Sequence, residues 1–234
     1  MKKLVCFDLD GTLTQHRTKL GEENTLVLRE LEKKYKLLMV GAGGAERIYE
    51  QMNRYPIDII ANYGMQESKM IDGKFTIIRQ ETSAVDKDYF INTIKYLREK
   101  YGYTEYKGDT IEFHATGMVT FPLLGTKADI NDKLAFDPTR EKRRVLYPEV
   151  LELFKDYAVY IGGSSSFDFA EKRFNKYHSI MAYAQKNGYK LEEILFVGDD
   201  FGDGGGDSHV RIYGMDYIEI TDYRNLRQAL KDYL

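Results

Sequence analysis

Cysteine occurs once in the 234 residues, at Cys6, and tryptophan does not occur. A lone cysteine excludes an intrachain disulfide and fits a reducing compartment. No segment approaches the ~18 consecutive apolar residues of a membrane-spanning helix. The start, Met1-Lys2-Lys3-Leu4-Val5-Cys6-Phe7, mimics the basic end of a secretory leader, yet Asp8 stops its apolar stretch after four residues. A net charge of −3 gives no reason to expect a nucleic-acid or membrane partner. Internal repeats and low-complexity stretches are missing as well. These absences leave a soluble, cytoplasmic protein as the expectation.

What is present is a core-forming composition, 43% hydrophobic, in a length that suits one large domain or a domain with a modest insertion. Tyrosines such as Tyr35, Tyr49, Tyr55, Tyr183 and Tyr189 sit near helix ends or among apolar neighbours, where ring packing accounts for them. The densest chemical signal is Phe7-Asp8-Leu9-Asp10-Gly11-Thr12-Leu13-Thr14. The run before it, Leu4-Val5-Cys6-Phe7, reads as a strand buried on both faces. Such a strand delivers Asp8 and Asp10 to the carboxyl end of a sheet, where open α/β folds place their sites. Two like charges so close need a cation between them or a proton on one. The pair therefore reads as a divalent metal site, a nucleophile with an adjacent acid/base, or both.

The first third alternates strand and helix: strand 4–8, helix 22–34, strand 36–40, helix 45–53 and strand 57–61. This predicts a parallel sheet with right-handed crossovers. The middle predicts a helix over 86–101, a hairpin of 110–113 with 118–122, helical stretches at 129–135 and up to 153, and a second hairpin, 157–161 with 165–169. From His178 the alternation returns with helix 178–187, strand 194–197, strand 217–220 and helix 223–233. The fold class is thus α/β, a Rossmann-like core over 1–80 and 172–234 interrupted by an α+β unit over 81–171.

Two further strand ends carry candidate residues. Gly41-Ala42-Gly43-Gly44-Ala45 is a glycine-rich turn into a helix, which suits a phosphate as well as a plain tight turn. Strand 194–197 opens into Gly198-Asp199-Asp200-Phe201-Gly202-Asp203-Gly204-Gly205-Gly206-Asp207, which lacks the spacing of a Ca²⁺-binding EF-hand. In a parallel sheet Asp199 and Asp8 can meet at one edge and share a hard cation such as Mg²⁺. Lys176 stands at the re-entry to the core.

In order and location, Asp8-x-Asp10-Gly-Thr, Gly43/Gly44, Lys176 and Gly198-Asp199 with Gly204-Gly205-Gly206-Asp207 resemble the four motifs of the haloacid dehalogenase superfamily. The inserted unit resembles the C2B-type cap of subclass IIB. Over nearly the whole chain the pattern is similar to the eukaryotic-type phosphomannomutase family, through Asp8 to Thr14 with Arg17 and Lys19, Asn62-Tyr63-Gly64, Ile111-Glu112-Phe113 with Gly117-Met118, Gly162-Gly163 and Ser166-Phe167-Asp168.

That resemblance implies roles. Asp8 is the nucleophile that becomes an aspartyl phosphate, and Asp10 is the acid/base at the leaving and entering oxygens. Lys176 neutralises Asp8 and the phosphoryl group. Mg²⁺ is held by the Asp8 side chain, the Asp10 carbonyl and the acids Asp199 and Asp207. Gly43 and Gly44 donate amides to the phosphoryl oxygens, and Arg17, His114, Lys127, Ser166 and Asp168 contact the substrate, with Lys133 and Arg140 as further phosphate candidates. The partner is a small phosphorylated metabolite, and a homodimer through the cap is expected. Catalysis requires Asp8 ionised, its pKa lowered by metal and Lys176, and Asp10 protonated, its pKa raised.

Three departures shape the functional expectation. Gly43 stands where the superfamily offers a Ser or Thr hydroxyl, a loss of ~1.5–3 kcal/mol if unreplaced. Gly206 stands where an Asn precedes the last Asp. His114 and Thr126 occupy positions that carry arginines in phosphomannomutases, and arginine's planar fork is not replaced by them without loss. A mutase must grip a second phosphate, so the expectation is a phosphatase acting on a sugar phosphate. A phosphomannomutase is the alternative, and an impaired phosphosugar-binding protein a second one.

Overall fold

The computed structural model describes residues 1–234. The chain forms two units, Met1–Glu81 with Phe174–Leu234, and the inserted Thr82–Arg173. In the first unit the chain runs β1 (Leu4–Phe7), α1 (Glu22–Leu31), β2 (Lys36–Val40), α2 (Ala45–Gln51), β3 (Asp58–Ala61), β4 (Gln66–Ile71) and β5 (Lys74–Gln80). The inserted unit holds α3 (Lys87–Tyr101), β6 (Glu112–Phe113), β7 (Val119–Pro122), α4 (Ile130–Phe136), α5 (Glu141–Leu153), β8 (Tyr157–Tyr160) and β9 (Ser166–Glu171). The first unit resumes with α6 (Lys176–Asn187), β10 (Ile194–Gly198), α7 (Ser208–Ile212), β11 (Tyr217–Glu219) and α8 (Leu226–Ala229).

The first unit is a seven-stranded sheet in the order β11-β10-β1-β2-β3-β4-β5. Successive side chains of a strand face opposite sides, so the unbroken apolar run of β1 serves two cores. Val5 and Phe7 pack with Leu28, Met39 and Ile48 on one side. Leu4 and Cys6 pack with Leu38, Ile180 and Phe196 on the other. Pairing from β11 to β3 is parallel, and its register, Phe7 opposite Val197 and Met39, brings the ends of β1, β10 and β2 to one edge.

Two elements differ from the sequence expectation. β4 and β5 form an antiparallel hairpin that extends the sheet, turning at Asp72 and Gly73 with φ of 49° and 73°. The expected helix over 223–233 is a single 3-10 turn, Tyr223–Asn225, followed by the four residues of α8. Leu226 and Leu230 are buried there, and Tyr233 and Leu234 pack partly buried against the same core. No helix of the chain is long and apolar enough to cross a membrane.

The inserted unit is a four-stranded antiparallel sheet, β6-β7-β9-β8, with α3 and α5 supplying the rest of its core. Asp86 caps α3 by accepting from the Tyr89 amide at 3.0 Å, and Gly102 ends it in the left-handed region. Val119, Phe121, Phe167 and Phe169 pack on Phe90 and Phe154. By alternation Thr120, Ser166 and Asp168 fall on the other face. Arg143, from the charged run that opens α5, is buried. Its Nε donates to Asp137 at 2.8 Å, and Nη1 donates to the carbonyls of Gly162, Gly163 and Ser166.

Candidate active site

The end of β1 places Asp8 beside the end of β10, where the Asp8 amide donates to the Val197 carbonyl at 2.9 Å. The chain then turns at Gly11, with φ of 100°, where any Cβ would overlap the Asp199 carboxylate. Only glycine permits that approach. Thr12 Oγ1 lies 3.4 Å from Asp8 Oδ2 and 3.2 Å from Asp199 Oδ1, so one hydroxyl proton serves both carboxylates. Lys176, the buried first residue of α6, places Nζ 2.5 Å from Asp8 Oδ1 and 2.6 Å from Asp207 Oδ1. The second oxygen of Asp207 accepts the amides of Asp199 and Asp200, both at 3.1 Å.

Asp8, Asp199 and Asp207 offer oxygens that all lie within 4.8 Å of one another. Three carboxylates against one ammonium leave two negative charges, the complement of a divalent cation. The hard oxygen donors also suit one. Asp207 is the most committed of the three, with one oxygen on Lys176 and the other on two amides. The Asp10 carboxylate is not part of this cluster.

Asp10 is held elsewhere. Its Oδ1 accepts from the Arg17 amide at 2.8 Å and from Gln51 Nε2 at 2.7 Å, and Arg47 Nη2 lies 3.5 Å from Oδ2. Gln51, buried in α2, also bonds Thr14 Oγ1 at 3.0 Å and accepts from Arg47 Nη1 at 2.7 Å. The sequence points to Gly43, Gly44 and Arg17 here but not to Arg47 or Gln51. The signal that could find them is their i, i+4 spacing on the helix that follows the glycine turn.

Without a cation the two carboxyls are pushed in opposite directions. Burial pushes Asp8 up to about 6, against the pull of Lys176 and with repulsion from Asp207 and Asp10. Lys176 divides its charge between two carboxylates, so it does not offset the burial of Asp8. Asp10 lies below the usual carboxylate value: burial raises it, but Arg47, His16, the Arg17 amide and Gln51 together outweigh that. Lys176 is held charged well above its ordinary value, because Asp207 and Asp8 outweigh its burial.

The glycine turn follows β2. The amides of Gly43 and Gly44 have no acceptor within the chain, whereas the Ala45 amide donates to Gln66 Oε1 at 3.0 Å. Asn62-Tyr63-Gly64 forms a 3-10 turn with φ of 49°, 55° and 111°, strain that the Ser179 hydroxyl helps hold by donating to the Tyr63 carbonyl at 2.8 Å. A Cβ on Gly206 would stand 3.9 Å from Lys176 Nζ and from the Tyr63 hydroxyl, an ordinary contact. The missing Asn therefore leaves Lys176 in the grip of its two aspartates.

In the inserted unit, Thr120 donates to Asp168 Oδ1 at 2.8 Å, and His114 Nε2 lies 3.0 Å from Thr120 Oγ1. Ser166 Oγ donates to the Gly162 carbonyl at 3.0 Å, and a side chain at Gly162 would overlap Asp168. His114, Ser166 and Asp168 thus share one polar sheet face. Thr126 Oγ1 accepts the Asp109 amide at 2.9 Å, and its carbonyl accepts from Lys133 Nζ at 3.0 Å. Lys127 is exposed, and Arg140 caps α5 with φ of 62°.

The family model for eukaryotic phosphomannomutase matches residues 24–218, beginning after the Asp8–Asp10 pair. A phosphomannomutase from Encephalitozoon cuniculi is 25% identical over 98% of this chain and 94% of its own length. One from Spinacia oleracea is 27% identical over 88% of this chain and 85% of its own. Among solved structures, a haloacid dehalogenase-like hydrolase from B. subtilis superposes with a TM-score of 0.66 at 13% identity, covering 99% of this chain and all of the other. A phosphatase of the same superfamily from Bacteroides thetaiotaomicron gives 0.62 at 16% identity, covering 100% of this chain and 95% of that one. The chain is a phosphoryl-transfer enzyme of the haloacid dehalogenase superfamily, and it belongs to the eukaryotic phosphomannomutase family.

Proposed function

We propose that this enzyme is a Mg²⁺-dependent phosphohexose mutase of the phosphomannomutase type. The observation that carries the reading is the match to phosphomannomutases along almost the full length of both chains. Asp8 attacks the phosphorus of a hexose phosphate, the ester P–O bond breaks, and Asp10 gives its proton to the departing sugar oxygen. In the other half-reaction a sugar hydroxyl gives its proton to Asp10 and takes the phosphoryl group from Asp8. The ionised Asp10 held by Arg47 and Gln51 is set for that second half.

Asp8, Asp199 and Asp207 would hold Mg²⁺, which would supply positive charge favouring the ionised form of Asp8 and offsetting the phosphoryl oxygens. Lys176 adds positive charge at Oδ1 of Asp8, and the Gly43 and Gly44 amides donate to the phosphoryl group. Ser166 and Asp168 read sugar hydroxyls, with Asp168 oriented by Thr120. Arg17, Lys127, Lys133 and Arg140 are the cations left to meet a second phosphate.

Hydrolysis is the second reading, favoured by one observation. His114 and Thr126, at positions where the family resemblance implies arginines, are tied to Thr120 and Asp109 inside the inserted unit. Phosphorus NMR of the enzyme with Mg²⁺, mannose 1-phosphate and a catalytic amount of hexose 1,6-bisphosphate separates the two. A mutase converts the 1-phosphate signal to 6-phosphate with little free phosphate. Free phosphate as the main product supports hydrolysis instead.

A further inference from the structure

The phosphate turn lacks a side chain at Gly43, yet the space beside it is not empty. A Cβ built there would overlap Nη2, Nε and Cζ of Arg47. The guanidinium lies in the volume that a Ser or Thr at this position would need. It is fixed there from two sides: Nη1 donates to Gln51 Oε1 at 2.7 Å, and Nη2 faces Asp10 Oδ2 at 3.5 Å. Gln51 is itself buried and bonded to Asp10 and Thr14. The Arg47 side chain remains about one-third exposed (34%), so this strut does not bury its charge. With glycine at 43 the guanidinium can occupy this place; a side chain there would require the Arg47 end to shift.

We propose that Arg47 binds the transferring phosphoryl group, standing in for the hydroxyl that Gly43 does not provide. The inference rests on the phosphoryl-transfer reading and extends it to a residue and a ligand group. A guanidinium presents N–H groups in a planar fork that matches two phosphoryl oxygens, where a hydroxyl offers one donor. The Gly43 and Gly44 amides of the same turn, which no backbone carbonyl takes up, are suited to the oxygens of a dianionic phosphate monoester. A neutral or thioester substrate would gain nothing from it. The site thereby gains a second cation, supplied by α2, whereas Lys176 comes from α6.

The exchange can be tested with inorganic phosphate as the probe. Its dissociation constant is measured by calorimetry with saturating Mg²⁺ for the wild type, Arg47→Ala, Arg47→Lys, and Gly43→Ser combined with Arg47→Ala, with circular dichroism to establish folding. The expected result is a weakening of about 10- to 100-fold in Arg47→Ala, which corresponds to one charge-assisted hydrogen-bonded contact. Arg47→Lys should fall between, because the ammonium keeps the charge and loses the fork. The double variant should bind about tenfold better than Arg47→Ala, as the serine enters the space the guanidinium leaves.

Unchanged phosphate binding in a folded Arg47→Ala overturns the inference. So does a double variant no better than Arg47→Ala, which would make Arg47 a positioning residue acting through Asp10. If the alanine variant does not fold, Arg47→Gln, which can still bond Gln51, carries the same comparison. A wild type that binds no phosphate in the presence of Mg²⁺ overturns the phosphoryl-transfer reading itself, and that outcome is distinct from either of the others.

Discussion

The first unit and the inserted unit bury charge in opposite ways. At the ends of β1 and β10, Asp8, Asp199 and Asp207 share a single Lys176, so negative charge is left over. In the inserted unit Arg143 meets Asp137, both side chains only 1% exposed, and its remaining donors go to backbone carbonyls. The Arg143 group is closed, since its charge and its hydrogen bonds are satisfied within the unit. The Asp8 group is open, and an ion or a substrate must complete it. An unbalanced buried cluster marks chemistry, whereas a balanced one marks architecture.

The largest effect is expected from breaking the open cluster at its centre. Asp8→Asn should lower turnover of any phosphate ester on the order of 10⁵-fold or more while leaving the fold intact, measured by product formation with the circular dichroism spectrum as control. The matching break in the closed cluster is Asp137→Ala. It strands a buried guanidinium and should cost about 3–5 kcal/mol. Hydrogen exchange should then rise within residues 82–173 while β1, β2 and β10 keep their protection. Loss of protection in both units alike would contradict the separation.

A third test uses pH. Asp8 is pushed up to about 6 by burial, so in metal-free protein it holds its proton more tightly folded than unfolded. The sign follows: its contribution to stability is greatest at low pH and declines as pH rises from about 4 to about 6. The melting temperature of metal-free wild type relative to Asp8→Asn should therefore fall across that window. Saturating Mg²⁺ should abolish the decline, because the cation favours the carboxylate. The smallest effect belongs to the inserted unit's polar face. Ser166→Ala should raise KM for a hexose phosphate about 10-fold and leave hydrolysis of p-nitrophenyl phosphate unchanged, consistent with one lost hydrogen bond to sugar.

Much of this contrast is legible in the sequence, and the rest has physical reasons for being hidden. The continuous apolar run Leu4–Phe7 into Asp8 announces a buried parallel strand with an acid at its end, and the structure has that strand. The β4–β5 hairpin escapes the sequence reading, although Asp72-Gly73 is the residue pair that type I′ turns favour. Arg143 escapes it too, because a guanidinium inside Arg140-Glu141-Lys142-Arg143-Arg144 looks like solvated helix surface until the Gly162–Ser166 loop folds over it. The order of the Asp8 and Asp10 pKa values is invisible for a similar reason. It depends on Arg47 and Gln51, which lie about 40 residues away on α2, and on how deeply Asp8 is buried. Motif positions show which residues meet, but not which way burial and neighbouring charges shift each carboxyl.

The central claim is that Asp8 itself carries the phosphoryl group. Wild-type enzyme incubated with Mg²⁺ and hexose 1,6-bisphosphate, quenched in acid and reduced with borohydride, should show Asp8 converted to homoserine in the peptide mass spectrum. The conversion should be absent from Asp8→Asn. A phosphoryl group found on any other side chain, or no covalent phosphoenzyme in an actively turning-over sample, would contradict the account.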